Sequence, residues 1–583
     1  MNGLSIRYGD IAPEAKETFV AEVNDSEFDS LSQLQKYNLA FPNYANPCER
    51  YSVVLDGNPV PLPEDKTPIV GLWSKQQSRE DGTFETPIEL TLVSEPMFTS
   101  KGLTFTFDML NNVYPTSINI HWWRDSDGEL TDLGEMTFTP DSSMYFCENR
   151  VEYYNRIVIT FTGINMPYNR LKLRAIDYGY GTVFYGDELR SVTMLQEINP
   201  VSQSISINTC DFTVVSNRNI DYSFTAKQPI SIYYNGQLRA TNFVDSATRQ
   251  SKNVWSIKSE DYIGVMDGTP FGGGVYKDKN AIELISEIFA KSKVPFEIRD
   301  IDETATVTGY IPYTTCREAL MQVLFVLGAV VDTSNLNVAS VYRLDEDVKQ
   351  VIPLGRIKPG QKVTDSSTTT SVVLTAHSYS EKEELTESDA LFVFEAKNDG
   401  FGKEVFVKFS QPLYNIYWSY DHGTVKEYSA NHAIVIPTDE KFRMWGFPYD
   451  VVTTEHEKKN PLLVKTDVEK VYSVSNATLV NPDNVNAVLE RCYAWAIQNR
   501  EISMKIIEGK HVSGGLPIKW GERKWGSFKW GEKTPRVVTY DQEVNVGDKL
   551  QTETEYLGVL EGRVIKQKFS YVGGIVVKEA TLK

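Results

Sequence analysis

The sequence predicts a mainly β, multidomain protein with α+β parts: an N-terminal, jelly-roll-like β-sandwich, then α+β and β-barrel domains. Three observations predict it. Short alternating apolar–polar runs recur between turn signals, the pattern of sheet rather than helix. Only three stretches carry an apolar stripe at helical spacing. The chain has 583 residues, too many for one hydrophobic core. Tyr, at 31 residues, leads a 12% aromatic content, which suits half-buried strands and wet interfaces.

Four regions follow from the pattern. Residues 1–66 read as a weakly structured N-terminal arm, rich in Asn, Pro and acidic residues. Its first clear strand is Tyr51–Leu55, closed by the turn Asp56–Pro59. Residues 67–178 read as the sandwich, of a kind that includes carbohydrate-binding modules. Its runs are Ile88-Leu90-Leu92, Leu103-Phe105-Phe107, Ile118-Ile120-Trp122, Ile157-Ile159-Phe161 and Leu171-Leu173-Ala175. Asp125-Ser126-Asp127-Gly128 marks a hairpin turn among them. Gly179 to Gly186 reads as a linker or hinge.

Residues 179–345 form the α+β region. Ile230 to Tyr234 alternates, and Asn235-Gly236 turns the chain back, because both turn positions require positive φ. A glycine loop, Gly272-Gly273-Gly274, precedes a helix over about Asp278–Ser292, with Asp278 as the expected N-cap. The second helix opens on the capping box Thr315…Glu318 and stops at Gly328. A hairpin turning at Ser334-Asn335 closes the region. Residues 346–583 return to β. They carry one helix, about Asn484–Gln498, with the stripe Val485, Val488, Leu489, Cys492 and Trp495, and end in a small barrel from Glu543 to Val577.

Charge and motifs exclude several functions. A formal charge of -19 disfavours phosphate-backbone binding and docking on an anionic membrane. The five cysteines, Cys48, Cys147, Cys210, Cys316 and Cys492, contain no CxxC pair, so structural zinc has no support. The start, Met1 to Asp10, lacks the apolar core of a signal peptide. The longest near-apolar run, Leu320 to Val331, is too short to span a bilayer. His456-Glu457 opens like a zincin helix, but Asn460 stands where the second His is needed. The glycine triplet lacks the Gly-Lys-Ser/Thr ending of a phosphate loop. No Gly-x-Ser-x-Gly elbow exists. The expectation is no catalytic residue, no metal and no cofactor.

Two aromatic features bear on binding. If Ile118, Ile120 and Trp122 face the core, His121 and Trp123 face outward, where they either stack on a sugar ring or pack under a loop or subunit. Lys-Trp-Gly recurs with Trp520, Trp525 and Trp530. Five-residue spacing fits neither a strand face nor a helix face, so these three read as anchors in separate contacts, candidates for an interface.

Several segments resemble the hub proteins of bacteriophage tails. They are Leu195 to Pro200, Gln228 to Gly236, Asp261 to Gly264, Phe271 to Tyr276 and Ile311 to Leu320 (IPYTTCREAL), with Arg7 to Pro13, Phe41 to Asn46 and Asn155 to Phe161. The order looks like that of tail proteins encoded by prophages of Firmicute bacteria. The resemblance implies tail-hub-like α+β and β-barrel domains over residues 179–583. It implies a homotrimeric ring at the tail tip or baseplate that joins the tail tube to a spike, fibre or lysin. Tape measure and distal tail proteins are the implied neighbours, and the location is the virion tail, assembled in the bacterial cytoplasm. Minimal hub proteins lack a long N-terminal sandwich, so residues 1–178 carry an added duty. Two other functions stay open: an adhesin that grips host cell-wall glycan, and a tail-associated cell-wall hydrolase.

Overall fold

The computed structural model describes residues 3–22, 28, 44–45, 60–61, 71–109, 111–126, 128–201, 204–215, 227–235, 237–397, 400–461, 469–507, 509–517, 533–540, 543–572 and 575–583. The expected strand Tyr51–Leu55, its turn, Cys48 and the three Lys-Trp-Gly tryptophans lie outside these. The fold is mainly β, with several separate sheets and few helices. It divides into two compact units: Met1–Leu189 with Val214–Ile257, and Arg190–Thr213 with Lys258–Lys583.

The first unit begins with strand β1 (Leu4–Ile11), helix α1 (Pro13–Thr18) and strand β2 (Val20–Glu22). Leu4, Ile6 and Tyr8 alternate inward and are buried. β1 is a central strand. It pairs antiparallel with Gly179–Tyr185 on one side and Pro229–Tyr234 on the other. The hairpin at Asn235 forms as read: Asn235 has φ 52°, and Gln237 to Phe243 returns against Pro229 to Tyr234. The charges beside β1 are satisfied internally. Asp177, 2% exposed, accepts from Arg7 Nη2 and from Lys16 Nζ at 2.5 Å. Burial opposes its ionisation, but Arg7 and then Lys16 outweigh burial and hold the carboxyl well below its usual range.

The sandwich region is built on two long strands, β4 (Thr83–Thr106) and β7 (Met144–Gly163), with β3 (Leu72–Gln77) before them and β5 (Ile118–Ser126) and β6 (Glu129–Phe138) between them. The expected separate strands at 88–92 and 103–107 are one bent strand, since the intervening residues interrupt the pairing without ending it. The register shifts several times between Val93 and Gly102. Gly102, at φ 149°, faces the Cys147 carbonyl; a Cβ there would lie 2.2 Å from that oxygen. The bend lets the hairpin close on itself. Phe105 pairs with Tyr145 at one end, Phe161 with Ile88 at the other, and the two phenylalanine rings meet edge to face at 6.4 Å. Ile118, Ile120 and Trp122 are fully buried between the halves. The strands Arg170–Leu173, which pairs with β3, and Ala175–Asp177, which pairs with β4, complete the region.

In the second unit, Asp261 caps helix α2 (Tyr262–Asp267). Helix α3 (Ala281–Ser292) is capped by Asn280, whose Oδ1 accepts from Ile282 and Glu283 N–H at 2.9 and 3.1 Å. The expected cap, Asp278, instead belongs to the strand Gly274–Asn280, which pairs with Thr306–Ile311 past a bulge. Helix α4 (Cys316–Leu327) forms as the capping box predicts: Thr315 Oγ1 accepts from Glu318 N–H at 3.2 Å, and Gly328 ends it at φ 69°. Helix α5 (Val485–Ala496) buries Val485, Val488, Leu489 and Cys492 against Val372, Leu374 and Ala376 of the strand Ser371–Ser380.

Two three-stranded sheets over residues 391–448 share the core of Phe409, Val435, Phe442 and Met444. The expected terminal barrel is an open sheet among the described residues. The strand Gly558–Val572 is long enough to take two partners along one side, Lys549–Thr554 and then Leu189–Glu197, while Ile575–Leu582 pairs along the other.

Candidate functional site

His121 and Trp123 lie on β5, on the face opposite the buried Trp122. Their rings approach to 4.2 Å at 38°. His121 Nε2 is 2.8 Å from Asp132 Oδ1 on β6. That hydrogen bond, with a second from Gly134 N–H, holds the Asp132 carboxyl below its usual range. In register beside the pair stand Glu135, Val158 and Arg156, and Arg156 reaches Glu22 at 3.5 Å. The outward-facing alternation was legible in the sequence; the mutual stacking was not, because it depends on rotamers.

A second concave surface in the same unit drew no notice in the sequence. A groove of about 730 Å³ runs between residues 141–146, which lead into β7, the strand Gly179–Tyr185, and the loop after β4. Tyr145, Phe146, Tyr180 and Tyr185 supply rings; Asp141 and Asn112 supply polar groups. Phe146 and Tyr180 meet edge to face at 5.1 Å and 87°. Burial, then Cys147 and Asp141, raise the Tyr145 phenol. The expected linker Gly179–Gly186 is largely this strand. Its glycines permit close approach rather than hinging: a Cβ on Gly181 would sit 3.3 Å from Asp177 Oδ2 and 3.5 Å from Met144 Cε.

The chemistry sought elsewhere resolves into packing. The glycine triplet is closed by protein groups. Asn431 Nδ2 donates to the Gly272 and Ile311 carbonyls at 2.7 and 2.9 Å, and Gly273 takes φ 63° with no room for a Cβ. His456 lies on the strand Asp450–Lys459, not a helix. His377 sits 3.0 Å from the Ser475 carbonyl, His422 2.8 Å from Asp439, and His432 2.8 Å from Ser429 Oγ. Among the described residues no group of three His, Cys, Asp or Glu is placed to hold a metal. Cys147, Cys210, Cys316 and Cys492 are buried, and burial pushes the Cys316 and Cys492 thiols up to about 11, the environment of an inert cysteine.

One strongly shifted acid remains. Asp261 is fully buried, and burial pushes it up to about 6 despite hydrogen bonds from Thr333 Oγ1 at 2.6 Å and from Ile263 N–H at 3.0 Å. It is the N-cap of α2. Among the described residues, no helix is long and apolar enough to cross a membrane.

No protein-family model matches the chain, and no curated protein matches it. Its fold is similar to several solved structures. A 43 kDa tail protein of prophage MuSo2 from Shewanella oneidensis has a TM-score of 0.40 at 8% identity, covering 69% of this chain and 95% of its own. A tail protein from Neisseria meningitidis has a TM-score of 0.39 at 8% identity, covering 69% and 93%. Prophage tail protein gp18 from Listeria monocytogenes has a TM-score of 0.35 at 11% identity, covering 70% and 91%. At these scores the likeness carries no argument about function.

Proposed function

We propose that this chain is a non-enzymatic structural component of a bacteriophage or phage-like tail. It forms a homotrimeric hub ring at the tail tip that joins the tube to a spike, fibre or lysin. One observation carries the reading. The segments that resemble tail hub proteins are spent on architecture: Thr315 to Leu320 caps and builds the buried start of α4, the loop at Gly273 is packed shut, and Asp261 caps α2. Packing roles at these three places support work done by assembly, summing many contacts in a symmetric ring. The charge of -19 suits a particle that must not adhere to host nucleic acid.

Immunogold labelling of particles released by the encoding bacterium tests the location. Gold at the distal tail is the expected result, and unlabelled tails would sink the reading. A zymogram on peptidoglycan addresses the absence of enzymatic activity: the lane is expected to stay blank, and a cleared band would replace the structural role with that of a hydrolase.

A further inference from the structure

We infer that the groove between residues 141–146 and the strand Gly179–Tyr185 is a binding site for a neutral oligosaccharide. The inference stands apart from the tail-component reading and survives if that reading fails. A volume of about 730 Å³ falls within the roughly 300–1,000 Å³ typical of ligand sites. The ligand class follows from what lines it.

Among the described residues no Lys or Arg lines the groove, so none of them neutralises a phosphate or a carboxylate there. Asp141 is its only carboxylate among the described residues, too few oxygen donors for a hard cation. An apolar ligand would strip water from Asp141, Asn112 and Ser142 and return no hydrogen bond, which is costly. What fits is a ligand with apolar C–H faces and a rim of hydroxyls. Aromatic rings take such faces, while a carboxylate accepts from hydroxyls and an amide both donates and accepts.

The groups are held in place. Ser142 Oγ lies 3.1 Å from Asp141 Oδ1 and 3.0 Å from the Met144 carbonyl, which fixes the turn carrying the acid. Phe146 and Tyr180 brace each other edge to face. Tyr185, 49% exposed, stands at the rim.

Titration calorimetry on the full chain with chitotetraose, cellotetraose and maltotetraose tests the site. At least one probe is expected to bind saturably, with Kd between about 10 μM and 1 mM. Asp141→Asn and Tyr185→Ala, both at exposed positions, should each weaken that binding by about tenfold or more. Tyr556→Ala, 91% exposed and outside the groove lining, should leave it unchanged. Circular dichroism melts of each variant confirm folding. The inference is overturned if no probe gives saturable heat. It is equally overturned if both groove variants bind as the parent does, or if Tyr556→Ala abolishes binding while both groove variants retain it.

Discussion

Two buried aspartates, one in each unit, have opposite responses to pH. Asp177 faces Arg7 and Lys16, so its folded pKa lies below the unfolded value of about 3.9. The stability it contributes is present above that unfolded value and is lost as pH falls through the folded pKa. Asp177→Asn leaves two buried cations facing an amide, and should cost about 3–5 kcal/mol in urea unfolding. Loss below about 1 kcal/mol would show the cluster to be solvated. Asp261 has the reverse sign. Its folded pKa of about 6 exceeds the unfolded value, so its folded form holds the proton more tightly. Between about pH 4 and 6 its contribution to stability declines as pH rises. Asp261→Asn should flatten that part of the stability profile; an unchanged slope would assign it to other groups. Neither cluster was legible in the sequence, since Arg7 and Asp177 are 170 residues apart. Local signals were legible where one turn of chain decides them, as at Thr315, Gly328 and Asn235.

Elements were read well where a stripe or cap is complete within a dozen residues, and poorly where pairing partners decide the outcome. α4 and α5 follow their apolar stripes. The cap of α3, Asn280, lies two residues after the expected one because the strand Gly274–Asn280 keeps its pairing beyond Asp278. β4 was read as two strands, at 88–92 and 103–107, whereas β7 pairs on both sides of the intervening residues with shifts of register. The groove was invisible for a similar reason: its lining comes from three segments that the topology of the first unit brings together. The Gly273 loop offers a test at this scale. Gly273→Ala imposes φ 63° on a residue with a Cβ and drives that atom to 2.2 Å from the Ile311 carbonyl. The left-handed conformation alone costs about 1–2 kcal/mol, and the clash adds to it. Chemical denaturation should show a loss above that figure; tolerance of alanine would mean the loop can rearrange. Thr315→Ala removes the α4 cap and should cost about 1 kcal/mol by the same measurement.

At the scale of the whole molecule, the proposed role is assembly into a ring. The described residues hold buried thiols, histidines engaged with neighbours and a closed glycine loop. Apolar side chains also remain outside: Val451 and Val452 are 48% and 60% exposed on the strand Asp450–Lys459, and Tyr556 is 91% exposed. Strands exposed in this way are surfaces that neighbouring chains can cover. The sequence made the mainly β class legible. It did not make the two-unit division legible, because the chain passes out of the first unit at Leu189 and re-enters it at Val214. Light scattering on the purified full chain at high concentration tests the central claim most directly. A ring of three predicts a particle of three times the 66.0 kDa chain mass; a strict monomer at every concentration would contradict it.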